Sequence, residues 1–153
     1  MPFQIVTTSF QKGADIPAKY TCKGPDLSPD LAWVAAPEGT KSLALIVDDP
    51  DAPAGTWVHW ITYNIPNSVA ALREGMPRDP ELKDGTRQGK NDFGKIGYNG
   101  PCPPPGNTHR YYFRLYALNT TLDLPPGATR AALDKAMAGK VLAHVELMGK
   151  FKR

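Results

Sequence analysis

Three shortages in this sequence each exclude a class of protein. No run of about 18 apolar residues is present, so no membrane-spanning helix is expected. The net charge of +3 at pH 7 is small and scattered along the chain, which is too little for a nucleic-acid-binding surface. Cys22 and Cys102 are the only cysteines and lie far apart, so neither a Cys-x-x-Cys zinc knuckle nor a dithiol redox motif can form.

The N-terminal residues and the cysteines predict a cytoplasmic protein. No basic segment followed by an apolar one occurs at the N-terminus, so we expect no signal peptide. Free, buried thiols are favoured over a disulfide in a reducing compartment, and we expect Cys22 and Cys102 to be such thiols. We also expect no cofactor. Residues 85–91 imitate a phosphate-binding P-loop, but the glycine spacing is one residue short and asparagine replaces serine or threonine.

Proline and glycine, by contrast, are abundant, with 16 and 14 copies among 153 residues. They predict many turns between short strands. The length suits one domain, residues 1–153. Because the apolar and β-branched runs are short and each is bounded by turn-forming residues, we predict a mostly β fold with antiparallel pairing. The predicted strands are 3–8, 31–34, 42–49, 57–65 and 111–118.

Two segments depart from this strand pattern. A helix is predicted from Thr129, a suitable N-cap, to about residue 148, with Gly139 bending or splitting it. Its apolar residues recur at every fourth position, at Leu133, Met137, Val141 and Val145. Residues 68–106 show no periodicity but contain the apolar anchors Phe93, Ile96 and Tyr98, so we expect an ordered loop system there.

Three polar side chains continue the core-facing side of a predicted strand at or near its end, namely Asp49, His59 and His109. For the strand 57–65, the predicted core-facing side consists of Trp57, His59, Ile61, Tyr63 and Ile65. Polar groups in such places must form hydrogen bonds, because burying them unpaired is costly. Alternation alone leaves two interpretations equally open: separate structural polar residues, or one pocket at the end of a sheet.

In the pocket interpretation, Asp49 orients an imidazole and the imidazoles donate hydrogen bonds to an anion. A neighbouring carboxylate is expected to raise the pKa of each histidine and so to favour its cationic form. A metal site built from two histidines and one carboxylate is a minor alternative. No spacing or nearby motif supports it, and we expect no metal.

Several motifs occur in order along the chain: Asp49-Pro-Asp-Ala-Pro53, Trp57-Val-His59-Trp60, Asn64-Ile-Pro66, Gly97-Tyr-Asn-Gly-Pro101-Cys102-Pro-Pro and His109-Arg-Tyr111. Together they resemble the signature blocks of the phosphatidylethanolamine-binding protein family, in particular its short bacterial and archaeal Raf kinase inhibitor-like branch. The resemblance extends over nearly the whole chain.

The resemblance implies two antiparallel sheets with Greek-key connections, short flanking helices and a small pocket for phosphate or a phosphorylated head group. The pocket positions of the family correspond here to Asp49, His59, Pro103, Pro104, His109 and Tyr111. Asp51 is expected to brace the turn rather than to touch the ligand. The blocks around Cys22 and Cys102 are expected to meet beside the pocket, with Cα atoms about 4.4–6.8 Å apart.

This chain also departs from the mammalian members of the family. Val58 stands where they carry a second histidine, and the chain stops at Arg153 without their longer C-terminal helix. The kinase-inhibiting role therefore does not transfer safely. The apolar surface that the missing helix would leave uncovered, together with the resemblance to short bacterial relatives, predicts a homodimer.

We consider three functions. The first is non-catalytic binding of a small anion or phosphorylated head group, with regulation of a partner protein such as a kinase or protease. The second is inhibition of a protease or kinase through surface loops. The third is a weak hydrolase using Asp49 and His59, which ranks last because the sequence supplies no activated nucleophile. We therefore predict that the protein is not an enzyme.

Overall fold

The computed structural model describes residues 1–153, the whole chain. A single turn of 3-10 helix lies at Ala18–Tyr20. The chain otherwise forms eight strands and one helix: β1 Gln4–Val6, β2 Leu31–Val34, β3 Ser42–Asp49, β4 Trp57–Pro66, β5 Ala71–Leu72, β6 Arg87–Gln88, β7 His109–Leu118, α1 Arg130–Met137 and β8 Val141–Phe151. The longest helix has eight residues, and none could cross a bilayer.

The strands form two antiparallel sheets, which confirms the predicted architecture. The smaller sheet has the order β1-β2-β5 and the larger has the order β6-β4-β3-β7-β8. In the larger sheet β7 returns to lie beside β3, on the side away from β4 and β6. The strands β3, β4, β6 and β7 therefore have the order of a Greek key, in which the fourth strand lies next to the first. Residues 68–106, predicted as an ordered loop system, contain the two very short strands β5 and β6.

The larger sheet is covered on both faces, so the fold has three layers. One face packs against the smaller sheet, and its core includes Leu45, Trp60 and Phe113. The other face lies under α1, where Ile46 and Leu133 are buried. Every residue of β3 is buried, as expected for the central strand of such a sheet.

The predicted C-terminal helix is half right. Thr129 caps α1 as expected, because its Oγ1 accepts a hydrogen bond from the Ala132 N–H at 3.2 Å. The helix ends at Met137, and Gly139 adopts a φ of 77°, which turns the chain away. Residues beyond it form β8, which pairs with β7 along its whole length. His144, expected on the helix, therefore lies on this strand and stacks on Tyr116.

Candidate functional site

Because β3 is antiparallel to both of its neighbours, its end lies beside the beginnings of β4 and β7. These strand ends meet at one end of the larger sheet. Asp49 ends β3, Trp57 begins β4 and His109 begins β7. A cavity of about 310 Å³ opens there. Its lining includes all six residues predicted for the pocket, Asp49, His59, Pro103, Pro104, His109 and Tyr111.

Asp49 and His109 form a buried pair at the base of the cavity. The His109 Nδ1–H donates to Asp49 Oδ2 at 2.6 Å, and the side chains are 7% and 4% exposed. The other carboxylate oxygen, Oδ1, accepts the backbone N–H of Asp51 at 2.8 Å. Because a carboxylate fixes the proton on Nδ1, the ring nitrogen left for a ligand is Nε2. This nitrogen accepts a hydrogen bond when His109 is neutral and donates one when the ring is cationic.

His59 is oriented by a backbone carbonyl rather than by a carboxylate. Its Nδ1 lies 2.6 Å from the carbonyl oxygen of Asn99, which can only accept, so Nδ1 carries the proton. The ring contacts Tyr111 and Phe93 edge-on. Both histidines of the cavity therefore keep Nε2 for a ligand and share the same tautomer.

A β-bulge turns His59 toward the cavity. The pairing of β3 with β4 shifts by one residue between Val47↔Trp60 and Asp48↔Val58, so His59 is the extra residue. The predicted face of β4 is wrong for this reason: Ile61 and Tyr63 pack in the core under α1, whereas Trp60 packs between the sheets.

Burial, rather than charge, dominates the protonation of His59. Only 3% of the residue is exposed, and removal from water lowers the pKa of the ring below its ordinary value of 6.5. The Asn99 carbonyl and the charges of Asp49 and Asp26 oppose this shift and do not cancel it. The neighbouring carboxylates act in the expected direction, but the expected net rise in the pKa of His59 is wrong because burial outweighs them, and the ring is neutral at pH 7 in the unliganded protein.

Tyr111 contributes a hydroxyl that makes no well-formed hydrogen bond within the protein, although the Asp49 carboxylate lies near enough to interact with it. The residue is 1% exposed and lines the cavity. Burial, followed by the negative charge of Asp49, raises the pKa of its phenol, so the group is a neutral O–H. An unpaired buried hydroxyl is costly unless something outside the chain satisfies it.

The mouth of the cavity is apolar, and sequence reasoning missed this part of the site. Trp57 and Phe93 contact one another edge-on at a centroid distance of 5.4 Å, and Phe93 is 39% exposed. Ala52, Pro53 and Ala54 add further apolar surface. Phe93 was predicted only as an apolar anchor of its loop. An aromatic residue between Asp92 and Gly94, in a turn-like context, was the available signal for an exposed position.

Asp51 braces the turn between β3 and β4, as expected, and does not line the cavity. Its two carboxylate oxygens accept bonds from the Arg110 guanidinium at 2.8 and 2.9 Å. These bonds lower the pKa of Asp51 to about 2. The pair ties this turn to the start of β7, and thus Asp49 to the strand that carries His109.

Cys22 and Cys102 form a disulfide, so the expectation of two free, buried thiols is wrong. The Cα atoms are 5.4 Å apart, within the separation expected if the two blocks meet. The Cys22 N–H also donates to the Pro101 carbonyl at 3.1 Å, and the Tyr98 hydroxyl donates to the Tyr20 carbonyl at 2.7 Å. Cys102 lines the cavity, so the bridge secures its rim.

The structure contains no group of three or more histidine, cysteine, aspartate or glutamate side chains that could hold a metal ion. Asp49 is bonded directly to His109, and the Nδ1 of His59 is committed to Asn99. A wider groove of about 610 Å³ runs between β1 and β8, but its lining brings together no histidine or buried acid. The cavity at the sheet end is therefore the candidate site.

Comparisons with known proteins agree with the family resemblance of the sequence. The sequence profile of the phosphatidylethanolamine-binding protein family matches residues 6–152. A UPF0098 protein of Aquifex aeolicus is 49% identical over 152 residues, covering 98% of this chain and 88% of that protein. A UPF0098 protein of Methanothermobacter thermautotrophicus is 50% identical over 147 residues, covering 96% and 97%.

Two crystal structures share the fold across almost their full length. A structure from Chlamydia trachomatis, described as a phosphatidylethanolamine-binding protein homolog, has a TM-score of 0.90 at 42% identity and covers 99% of this chain and 97% of that one. Escherichia coli YbcL, described as a new member of the mammalian family, has a TM-score of 0.92 at 34% identity, with coverage of 99% and 98%. The chain belongs to the phosphatidylethanolamine-binding protein family.

Proposed function

We propose that the cavity binds a small oxyanion, in nature a phosphorylated head group, without chemical conversion. The observation that carries this proposal is the unpartnered hydroxyl of Tyr111 beside two imidazoles whose Nε2 atoms are left for a ligand. Three neighbouring groups that can all donate suit a tetrahedral oxyanion with several acceptor oxygens. The apolar mouth formed by Trp57 and Phe93 suits a substituent on that anion.

Binding is coupled to proton uptake in this proposal. A neutral imidazole whose Nδ1–H is already engaged presents only an acceptor at Nε2, which repels an oxyanion. The ligand must therefore bring a proton, as a monoprotonated phosphate does, or the ring must take one from water. Nearby negative charge stabilises the imidazolium, so the bound anion raises the pKa of His59 that burial had lowered.

The composition of the cavity favours binding over catalysis. No serine, threonine or free thiol lines it, and its cysteine, Cys102, is tied in the disulfide. The remaining hydroxyl, that of Tyr111, has a raised pKa and makes a poor nucleophile. We accordingly propose a non-enzymatic binding module. Regulation of a protein partner, the homodimer and the cytoplasmic location remain predictions.

Replacing Tyr111 with phenylalanine separates binding from stability. The hydroxyl makes no well-formed hydrogen bond within the protein, so Tyr111→Phe should leave the free energy of unfolding nearly unchanged or raise it. Loss of one donor to the anion should weaken phosphate binding several-fold. Calorimetric titration with inorganic phosphate and with phosphorylethanolamine measures the affinity, and urea denaturation measures the stability.

Tyr98→Phe is the matched control. The Tyr98 hydroxyl donates to the Tyr20 carbonyl at 2.7 Å and lies outside the cavity lining. This substitution should destabilise the fold by about 1–2 kcal/mol and leave the affinity for phosphate unchanged. If wild-type protein binds neither anion, or if Tyr111→Phe binds both as well as wild type does, the proposal is wrong.

The pH dependence of sulfate binding tests proton uptake. Sulfate stays a dianion from about pH 5.5 to about pH 8.5 and brings no proton, so it requires cationic histidine donors. Because the pKa of His59 in the unliganded protein is below 6.5, the affinity for sulfate should be highest at the acidic end of this pH range. It should fall by up to about tenfold per pH unit for each proton taken up. A flat sulfate profile would exclude imidazolium donors.

A further inference from the structure

One peptide group connects an acidic residue outside the cavity with His59. The peptide between Asn99 and Gly100 accepts the His59 Nδ1–H through its carbonyl oxygen at 2.6 Å. The N–H of the same peptide donates to Asp26 Oδ1 at 2.9 Å. A carboxylate bonded to the N–H side of a peptide polarises it and makes its carbonyl oxygen a stronger acceptor, because hydrogen bonds in a chain reinforce one another.

We propose that Asp26 is a positioning residue that acts on His59 through the Asn99–Gly100 peptide. The carboxylate fixes this peptide, and with it the tautomer and orientation of the ring, and it favours the imidazolium form. The two histidines of the cavity would then each have an acid behind Nδ1. For His109 that acid is Asp49, in direct contact, and for His59 it is Asp26, one peptide away.

The surroundings of the peptide show that this arrangement is tightly defined. A Cβ atom on Gly100 would lie 2.0 Å from the Tyr20 carbonyl oxygen and 2.5 Å from Asp26 Oδ1, so only glycine allows this approach. Asp26 has a φ of 59°, a left-handed conformation that aspartate and asparagine tolerate better than most residues. The other side of Asn99 is also held, because its Oδ1 accepts bonds from Asn91 at 2.8 Å and Arg78 at 3.2 Å.

Other charged and titratable groups also act on His59 or on Asp26. The negative charge of Asp49 has a larger effect on the pKa of the His59 ring than the negative charge of Asp26 has. The positive charges of Arg78 and Lys95 favour the ionised form of Asp26 and so lower its pKa. Burial raises the pKa of Asp26, while the Gly100 N–H lowers it. The groups that contact the ring or its partners within the cavity are Asp49, His109 and Tyr111.

The substitution Asp26→Asn tests the inference. Asparagine keeps an oxygen for the Gly100 N–H and tolerates the left-handed backbone, so only the charge is lost. In the unliganded protein, NMR titration of the His59 ring should give a lower pKa in the variant than in wild type. In the sulfate titration, the variant should bind more weakly near pH 7. At the acidic end it should bind equally well or better, because a nearby negative charge is gone.

Asp84→Asn is the matched control, since it removes the same charge from a turn outside the cavity, where Asp84 accepts only the Thr86 N–H. It should change neither the His59 pKa nor the sulfate profile. An unchanged His59 pKa in Asp26→Asn, or equal weakening of sulfate binding at every pH, would overturn the inference and leave Asp26 a purely structural residue. The inference rests on the proposed anion binding, but the NMR titration needs no ligand. A protein that bound no anion would therefore contradict the proposed function alone.

Discussion

Removal of the disulfide is expected to lower the free energy of unfolding by about 4 kcal/mol. The bridge joins residues separated by 80 positions, and closing so long a loop strongly restricts the unfolded chain. Cys22 is exposed and Cys102 is half-buried, so we expect a reductant to reach the bond without unfolding the protein. Urea denaturation of the oxidised protein, of the protein in dithiothreitol and of a Cys22→Ser/Cys102→Ser variant measures the difference.

The single substitutions provide the control. Because one bond is shared by two residues, Cys22→Ser, Cys102→Ser and the double variant should lose similar amounts of stability, and dithiothreitol should have little further effect on any of them. Equal stability of wild type and the double variant would contradict the expected contribution of the bridge.

Asp48→Asn is expected to cost about 3 kcal/mol, because it removes the negative partner of two arginines. Asp48 lies in β3 with its side chain 2% exposed. Its carboxylate accepts bonds from Arg114 at 3.1 Å and from Arg130 at 2.9 Å. Arg114 lies on β7, and Arg130 begins α1, so this acid ties the helix to the sheet. Asparagine keeps the shape of the side chain but removes the buried counter-charge of two partly buried guanidinium groups, which then keep only the exposed carboxylates of Glu146 and Asp134.

Glu146→Gln is the matched control in the same network. Glu146 accepts a bond from Arg114 at 2.7 Å, but its side chain is 47% exposed. Exposed ion pairs contribute about 1 kcal/mol or less, so this substitution should have a small effect. High salt should reduce that small effect while hardly changing the cost of Asp48→Asn. Similar costs for the two substitutions would show that burial does not set the strength of the Asp48 interactions.

The C-terminal region shows where sequence periodicity is ambiguous. Val141 and Val145 continue a four-residue repeat from α1, yet residues four apart also share one face of a strand, whose period is two. This segment forms a strand because it pairs along its whole length with the edge of β7 that is otherwise free. Gly139 marked the boundary in the sequence, but only the neighbouring strand determined the structure that follows it.

The location of His59 was predicted by reasoning that was partly wrong. Unbroken alternation put His59 on one face with Ile61 and Tyr63, whereas the bulge separates them. Bulges are hard to predict when the residues involved are ordinary strand formers, as Val58, His59 and Trp60 are. The meeting of His59 with Asp49 and His109 was one of two interpretations that strand alternation left open, and the family resemblance favoured it. Ligand binding by these residues remains a proposal.

The disulfide and the pKa of His59 depend on information that sequence patterns do not contain. The meeting of the two cysteine blocks was expected from the family resemblance, but the redox state was inferred from a compartment that was itself inferred. Opposing effects on His59 could be named in advance, namely burial and nearby acids. Which of these effects is larger could be decided only from the burial of the ring in the folded protein, where only 3% of the residue is exposed.

The segment between the disulfide and β7 offers a way to vary ligand selectivity without disturbing the sheets. Residues 103–108 form no hydrogen bond within the protein, and residues 104–108 are exposed. Doubling the length of such a loop costs only about 0.6 kcal/mol in closure entropy. Libraries that randomise or lengthen residues 104–108 should therefore yield many folded variants. Their cavity mouths would differ while Asp49 and both histidines stay in place, so the fold could be adapted as a scaffold for ligands of different shapes.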